Sequence, residues 1–442
     1  MYATLPGFRE FPPERFRERN RIFRILRSTA DLFGFEEFDG PILEPLDLYV
    51  DKSGAEVVDQ LFWFEDRGGR KVALRPEMTP TLARIVGAAG ASLRKPVRWF
   101  TLNEQYRFER PQKGRQRAFT QFNLDILGEP SLGADAEVIA CFVAALERCG
   151  LTQEDFRVRV SDRRIWTRFL DLMGIPAEKH PDCLSAIDKM ERLSPEKLSA
   201  WLTPVLGDGT TDFLGRVAEL RSIRDEAQLL PFLESLASRQ EDNEKSAELV
   251  ASWKQFRSAV DALGLGACAV LDLGIVRGLA YYTGPVFEIF EASGKGRALA
   301  GGGRYDHLVE KVSGVSMEAT GGALGDVTLL DLLDSKGLLS TTLAGTECFL
   351  AIGGEASRPR ALQITQLLRQ FGISTSYLFK EAGFGKQFKE ANRSGAKVVI
   401  SVGEREIETD EYPVKDLASG EQISVSFENL GEQVRSVLRG GE

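Results

Sequence analysis

Apolar residues recur at helical spacing through residues 13–34 (PERFRERNRIFRILRSTADLFG), and Gly34 suits the position just past a helix end. The next stretch, FEEFDGPILEPLDLY, reads as an extended segment broken at Pro41 and Pro45. LFWFEDRGGRKVALRPEMT predicts a hairpin across Arg67-Gly68-Gly69-Arg70, followed by a helix from Thr79. In residues 105–125 (QYRFERPQKGRQRAFTQFNLD), Arg110-Pro111-Gln112 and Lys113-Gly114-Arg115 are turn-forming clusters between two alternating apolar/polar runs. This predicts a strand, a basic loop and a returning strand. A helix follows at about 134–149, opened by Asp135 and Glu137, whose charge suits a helix N-terminus. Residues 165–260 are polar and rich in Glu, Lys, Arg and Leu, which predicts an inserted helical subdomain. Strand-like, Gly-rich sequence resumes over about 268–306.

A composition shift at 335–346 (DSKGLLSTTLAGTE) marks a linker. Beyond it CFLAIGG, ISTSYLF and AKVVISVG read as strands alternating with the helices PRALQITQLLRQFG and KQFKEANRSG. That is a small α/β domain over 345–442 with largely parallel strands expected from right-handed crossovers. The remaining chain divides into a domain formed by 1–164 with 261–338, interrupted by the helical insertion 165–260. There is no internal repeat and no low-complexity tract.

At 442 residues the chain is too long for one ordinary core, and 43% hydrophobic with 27% charged residues is the composition of a soluble globular protein. No apolar run approaches the roughly 18 residues of a membrane span, and the charged start MYATLPGFREFPPERFRERN does not resemble a signal peptide. Cys141, Cys149, Cys183, Cys268 and Cys348 are scattered without a CxxC, which predicts free thiols in a reducing cytoplasm. His180 and Cys183 are the only neighbouring His/Cys pair, so no zinc site is expected. With His180 and His307 as the only histidines, His-based triads have little material. The net charge is −9, yet Arg107, Arg110, Lys113, Arg115 and Arg117 crowd one loop. Arginine fits phosphate bidentately, so the loop is either a polyanion site or a solvated surface turn.

Arg75-Pro76-Glu77, RFERPQKGRQR (107–117), Gln121–Asp125, RGLAYYTGPVFE (277–288) and GGGRYD (301–306) together closely resemble the histidyl-tRNA synthetase family. The resemblance runs from PGFREFPPE at 6–14 into the C-terminal domain. It implies a class II synthetase-like α+β catalytic core, an antiparallel sheet flanked by helices, with a helical insertion and a C-terminal α/β anticodon-binding-type domain. It also implies a homodimer built through Gly34–Pro45, and L-histidine, ATP with Mg²⁺, and tRNA(His) as substrates and partners.

The implied chemistry joins two anions: the histidine carboxylate attacks the α-phosphate of ATP, so preorganised cations are required. By the resemblance, Arg107 bridges the α-phosphate and the carboxylate, and Arg277 stands on the other side of the same phosphate. Glu109 and Arg115, with Arg107, hold ATP; Mg²⁺ bridges the phosphates through ligands the sequence does not name. Asp125 and Tyr282 meet the imidazole, Tyr305 shares their pocket, and Glu77, Thr79 and Gln121 meet the α-amino group. Alternation would send one of Tyr281 and Tyr282 into the sheet core. Glycines 301–303 fit a close backbone approach, or equally a bulge or turn. Arg110, Lys113 and Arg117 meet the tRNA acceptor end, and Lys386, Lys389, Arg393 and Lys397 form either a phosphate-facing strip for the anticodon stem or a solvated face.

Three positions depart from the family. Where its third motif reads something like GFALGLERL, this chain reads GGALGDVTL (321–329), with Thr328 at the arginine that packs on adenine and reaches the γ-phosphate. Losing one such donor costs about 2.7–4 kcal/mol in a transition state, and Arg304 is a candidate replacement. Asp125 stands where the family often has Glu, and Ala280 where many members have Asp. A second reading is therefore a histidine-binding regulatory subunit of the ATP phosphoribosyltransferase type. Against it stand the complete C-terminal domain and the intact Arg107, Glu109 and Arg115. A nucleic-acid-binding protein without activity would leave the histidine-pocket residues unexplained.

Overall fold

The computed structural model describes residues 2–53, 55–190, 193–276, 281–294, 296–339 and 345–440, without the side chains of 51–53, 55–57 and 91. The chain forms two compact units, Met1–Leu339 and Ser340–Glu442.

In the first unit α1 (Pro13–Leu32) buries Ile22, Phe23, Leu26 and Ala30, and the chain leaves it through Gly34 at φ +71°. After β1 (Glu36–Glu37) and β2 (Leu43–Pro45), residues expected to be extended turn instead into α2 (Asp47–Ser53). Buried Leu46 and Tyr49 lie three residues apart, on one side of a helical turn, and Asp47 suits its N-terminus. β3 (Trp63–Glu65) and β4 (Lys71–Leu74) form the predicted hairpin, closed by Asp66, which accepts from the Gly68 and Arg70 amides at 2.8 and 3.0 Å. α3 (Thr79–Ala89) begins at the expected residue.

β5 (Val97–Tyr106) and β6 (Ala118–Leu127) pair antiparallel over their whole length, with the basic loop at one end. α4 (Gly133–Arg148) and β7 (Phe156–Asp162) follow. Then come α5 (Arg163–Leu172), α6 (His180–Lys189), α7 (Pro195–Leu206), α8 (Thr210–Ser222), α9 (Leu229–Leu236) and α10 (Gln240–Ala262). The helical content is as expected, but these helices share one continuous buried cluster with the sheet. Trp166, Phe169, Phe213 and Trp253 belong to the same core as Phe122, Phe142 and Phe287.

β8 (Ala269–Leu271), β9 (Pro285–Glu291), β10 (Ala300–Arg304), α11 (Leu308–Ser313), β11 (Ala319–Gly325) and α12 (Asp326–Ser335) complete the unit. Its large sheet runs β1-β5-β6-β11-β10-β9-β7-β8. The strands from β5 through β7 in that order are antiparallel, while β1 and β8 add parallel edges. β6 shows how the two faces separate. Phe122, Leu124 and Ile126 enter the core, where Phe142 of α4 lies 5.9 Å, centroid to centroid, from both Phe122 and Phe287. Gln121, Asn123 and Asp125, at the alternate positions, turn to the opposite face.

The second unit has its own core, including Leu350, Ile364, Val398 and Val414. Its elements are β12 (Cys348–Ile352), α13 (Arg358–Gln370), β13 (Thr375–Tyr377), α14 (Phe384–Arg393), β14 (Val398–Val402), α15 (Glu404–Thr409), β15 (Glu411–Asp416), β16 (Gln422–Ser426) and α16 (Leu430–Arg439). β13, β12 and β14 are parallel as expected, but β15 and β16 join antiparallel, so the sheet is mixed. The connections into β15 and β16 are too short for a parallel crossover, which needs about a dozen residues.

Candidate active site

The polar face of the large sheet floors a cleft of about 920 Å³, roofed by the basic loop and the start of α3. Glu77, Thr79, Arg107, Glu109, Arg115, Gln121, Asp125, Tyr282 and Tyr305 all line it. Arg277 and Ala280 lie outside the described residues.

At one end of the cleft the Tyr305 hydroxyl donates to Asp125 Oδ1 at 2.5 Å, and both residues are buried. Burial, reinforced by the Asp125 charge, pushes the Tyr305 phenol well above its ordinary pKa, so it remains a donor. Asp125 owes its space to β11: a Cβ on Gly321, its register partner, would fall 2.0 Å from Asp125 Oδ1. Gly303 plays the same part for Tyr282, since a Cβ there would meet Val286 Cγ1 at 2.7 Å and the tyrosine ring at 3.0 Å. Glycines 301–303 are thus regular strand residues of β10 in close approach, neither a bulge nor a turn. Tyr281 and Tyr282 both line the cleft, with ring centroids 4.8 Å apart. Tyr282 is the buried one of the two, packed in a core cluster with Val86, Val97 and Leu127, as one of the pair was expected to be, although both precede β9, which starts only at Pro285.

The basic loop is held from within. Its tip is a tight turn, Gln112 and Arg115 exchanging backbone hydrogen bonds around Lys113-Gly114, with Gly114 at φ +71°. Arg107 donates from Nε to the Pro76 carbonyl at 3.0 Å and lies over the Phe119 ring, which aims its head into the cleft. Arg115 donates to Glu109 at 2.7 Å, and both line the cleft. Arg117 is half-buried, its Nε bonded to the Glu109 carbonyl and its guanidinium over Phe108. Arg110 and Lys113 are exposed. Arg75, at 2% exposure, is structural: it ties Glu104, Asp39 and Gly40 together.

The sheet register orders the cleft. Asp125 sits opposite Gly321, and Gln121 opposite Gly325. Four residues of strand span about 13 Å, which separates the Asp125–Tyr305 end from the end walled by Gly325, Thr328, Gly114 and Arg115. An amino acid joined to a nucleotide needs a cleft of that length with unlike ends.

Arg304 is not a replacement for the missing arginine. It is buried and forked onto Asp135 of α4 at 2.5 and 3.0 Å, with further bonds to the Glu129 and Ser131 carbonyls and to Asp306. Asp326 is equally committed. It opens α12, binds Arg9 through both oxygens at 2.8 and 3.0 Å, and accepts from the Thr120 amide at 2.9 Å. Two charged lining residues had no role in the sequence reading: Glu288 on β9 and Arg297 in the β9–β10 loop. Glu288 between apolar Phe287 and Ile289, which face the core from β9, was the available signal for the first. Arg297 had none, because it follows a glycine-rich loop of no fixed period.

A family model described as histidyl-tRNA synthetase matches residues 7–328, and one described as anticodon binding domain matches 347–437. The chain belongs to the histidyl-tRNA synthetase family. A histidine-tRNA ligase of Opitutus terrae is 43% identical over 98% of this chain and 98% of its own length. One from Pyrococcus horikoshii is 34% identical over 99% of this chain and all of its own length. Among solved structures, a histidyl-tRNA synthetase from Nostoc superposes with a TM-score of 0.76 at 25% identity, covering 99% of both chains. A Bacillus halodurans protein described as an ATP phosphoribosyltransferase regulatory subunit/histidyl-tRNA synthetase reaches 0.72 over 91% of this chain and 98% of its own. At 24% identity that likeness speaks to the fold alone.

Proposed function

We propose that this chain is an ATP-dependent histidine-tRNA ligase: it activates L-histidine to the adenylate and transfers it to the 3′ end of tRNA(His). The observation that carries this reading is a single cleft with the Asp125–Tyr305 pair at one end and Arg107, Glu109 and Arg115 towards the other. Full-length relatives that are themselves histidine-tRNA ligases, and the matched anticodon-binding domain, favour it over the regulatory reading.

In this assignment Asp125 accepts from one imidazole nitrogen while Tyr305 orients the carboxylate and Tyr282 packs beside it. A ring lacking that nitrogen would leave the buried carboxylate one hydrogen bond short, which is the basis of selection. Glu77, Thr79 and Gln121 take the α-amino group. A histidine carboxylate oxygen then attacks the α-phosphorus. As the new O–P bond forms, the bond to the β-phosphate oxygen breaks and pyrophosphate leaves with the electron pair. Arg107 steadies the charge on the α-phosphate, and sequence alone assigns Arg277 to its other side.

Mg²⁺ would neutralise charge on the phosphates. Among the described residues no three His, Cys, Asp or Glu side chains converge as a metal site. Such an ion takes most of its ligands from phosphate and water, and Glu288 is one of the carboxylates that line the cleft. The exposed Arg110 and Lys113 meet the tRNA acceptor end, on a loop that Arg117 braces. Lys386, Lys389 and Arg393 are exposed on α14 at i, i+3 and i+7, with Lys397 just beyond, and face the anticodon stem. Buried free thiols at all five cysteines support a reducing cytoplasm, and among the described residues no helix is long and apolar enough to cross a membrane.

The test is histidine-dependent exchange of pyrophosphate into ATP, followed by charging of tRNA(His). Wild type should exchange with histidine alone among the amino acids. Arg107→Ala should lose on the order of a hundredfold or more, as when a transition-state donor is removed. Histidine binding without any exchange would sink the ligase reading and restore the regulatory one.

A further inference from the structure

The third motif lacks its arginine, and neither Arg304 nor Asp326 can stand in for it. Arg304 is buried against Asp135, and Asp326 is bound by Arg9. Thr328 is turned to another use: its hydroxyl lies 3.3 Å from the Gly325 carbonyl and 3.4 Å from that of Ala298, to either of which it donates. The second contact ties the start of α12 to the β9–β10 loop, at the residue next to Arg297.

Arg297 lines the same end of the cleft. The glycine at the tip of the basic loop measures how close it comes. A Cβ built on Gly114 would lie 3.4 Å from Arg297 Cδ and 3.4 Å from Thr328 Cγ2. The stem of the arginine and the methyl of the threonine therefore flank one point, beside Arg115. Arg297 is exposed on its loop, whereas Asp125 and Tyr305 are buried at the far end of the sheet register. A guanidinium is planar, stacks on aromatic faces and binds phosphate in a fork, so one such group can serve both base and phosphate.

We propose that Arg297 is a catalytic residue that supplies, from the β9–β10 loop, the cation the family draws from its third motif: it packs on the adenine of ATP and reaches the γ-phosphate. The small Thr328 leaves room for it and clasps its loop, where a second arginine would crowd it with like charge. The inference rests on the ATP-dependent ligase reading and deepens it. As the histidine carboxylate bonds to the α-phosphorus and pyrophosphate departs, Arg297 holds the departing end.

The experiment compares wild type, Arg297→Ala and Arg297→Ala/Thr328→Arg by two readouts, direct ATP affinity from calorimetry and histidine-dependent pyrophosphate exchange. Arg297→Ala should weaken ATP binding at least tenfold and slow exchange about a hundredfold, with histidine affinity and thermal midpoint unchanged because the residue is exposed. Recovery of ATP affinity in the double variant would support the exchange of roles between the two positions. ATP affinity and exchange within twofold of wild type in Arg297→Ala would overturn the proposal, as would an equal loss of histidine affinity. If wild type itself failed to exchange, the ligase reading would fall, while the ATP affinities would still judge Arg297.

Discussion

Arg304 and Asp135 are 169 residues apart in the chain and form a nearly water-free ion pair, their side chains 5% and 3% exposed. Burial pushes the Asp135 carboxyl up to about 6, and the guanidinium opposes that rise. Removing the arginine leaves a buried carboxylate alone, so Arg304→Ala should cost about 3–5 kcal/mol of unfolding free energy at neutral pH, measurable by denaturant titration. The sign of its pH dependence follows. In the variant the folded-state pKa rises further above the unfolded value, so folding takes up a proton. The deficit should then narrow as pH falls from neutral towards the ordinary carboxylate range, because a protonated Asp135 has no charge to bury. A deficit that widened on acidification would contradict this account. In the sequence Arg304 looks like a phosphate ligand, since nothing local distinguishes an arginine facing solvent from one facing a distant carboxylate.

At the scale of elements, the returning strand of the basic hairpin was legible in detail. Its alternation separates Phe122, Leu124 and Ile126 from Gln121, Asn123 and Asp125, and the structure sends the first set to the core and the second to the cleft. The tyrosine pair buries Tyr282 as that rule expects, yet the rule did not show that Tyr281 lines the cleft beside it, because the pair precedes the strand. β10 and β11 are less legible still, since glycine has no side chain to carry a period, yet they decide the geometry of the Asp125–Tyr305 end. Gly321→Ala would drive a methyl into Asp125 Oδ1 and the Leu124 carbonyl, at 2.0 and 2.6 Å. A displacement of the order of 1 Å can cost about a hundredfold in rate. Histidine-dependent exchange should fall by that factor or more, while ATP affinity, measured separately, should change far less. An equal loss of both would mean that the sheet itself had collapsed.

At the scale of the whole molecule, the small β2-β4-β3 sheet leaves Ile42, Leu43, Trp63 and Phe64 between 41% and 50% exposed. Exposed apolar side chains on so small a sheet favour a protein interface there, and Ile42 and Leu43 belong to the Gly34–Pro45 segment expected to build a homodimer. Wild type should sediment as a dimer at micromolar concentration, and Trp63→Asp should shift it towards monomer. A variant that sedimented as wild type would move the interface elsewhere.

The basic hairpin, the run of helices between β7 and β8 and the membership of one enzyme family were readable along the chain. Each depends on local periodicity, turn chemistry or motifs of contiguous residues, which neighbouring side chains encode. The antiparallel end of the second sheet, the burial of Arg304, the commitment of Asp326 to Arg9 and the approach of Arg297 to Thr328 were not. These depend on which distant segments meet, and meeting is settled by packing the common core, where a charge takes its role from the partner that reaches it.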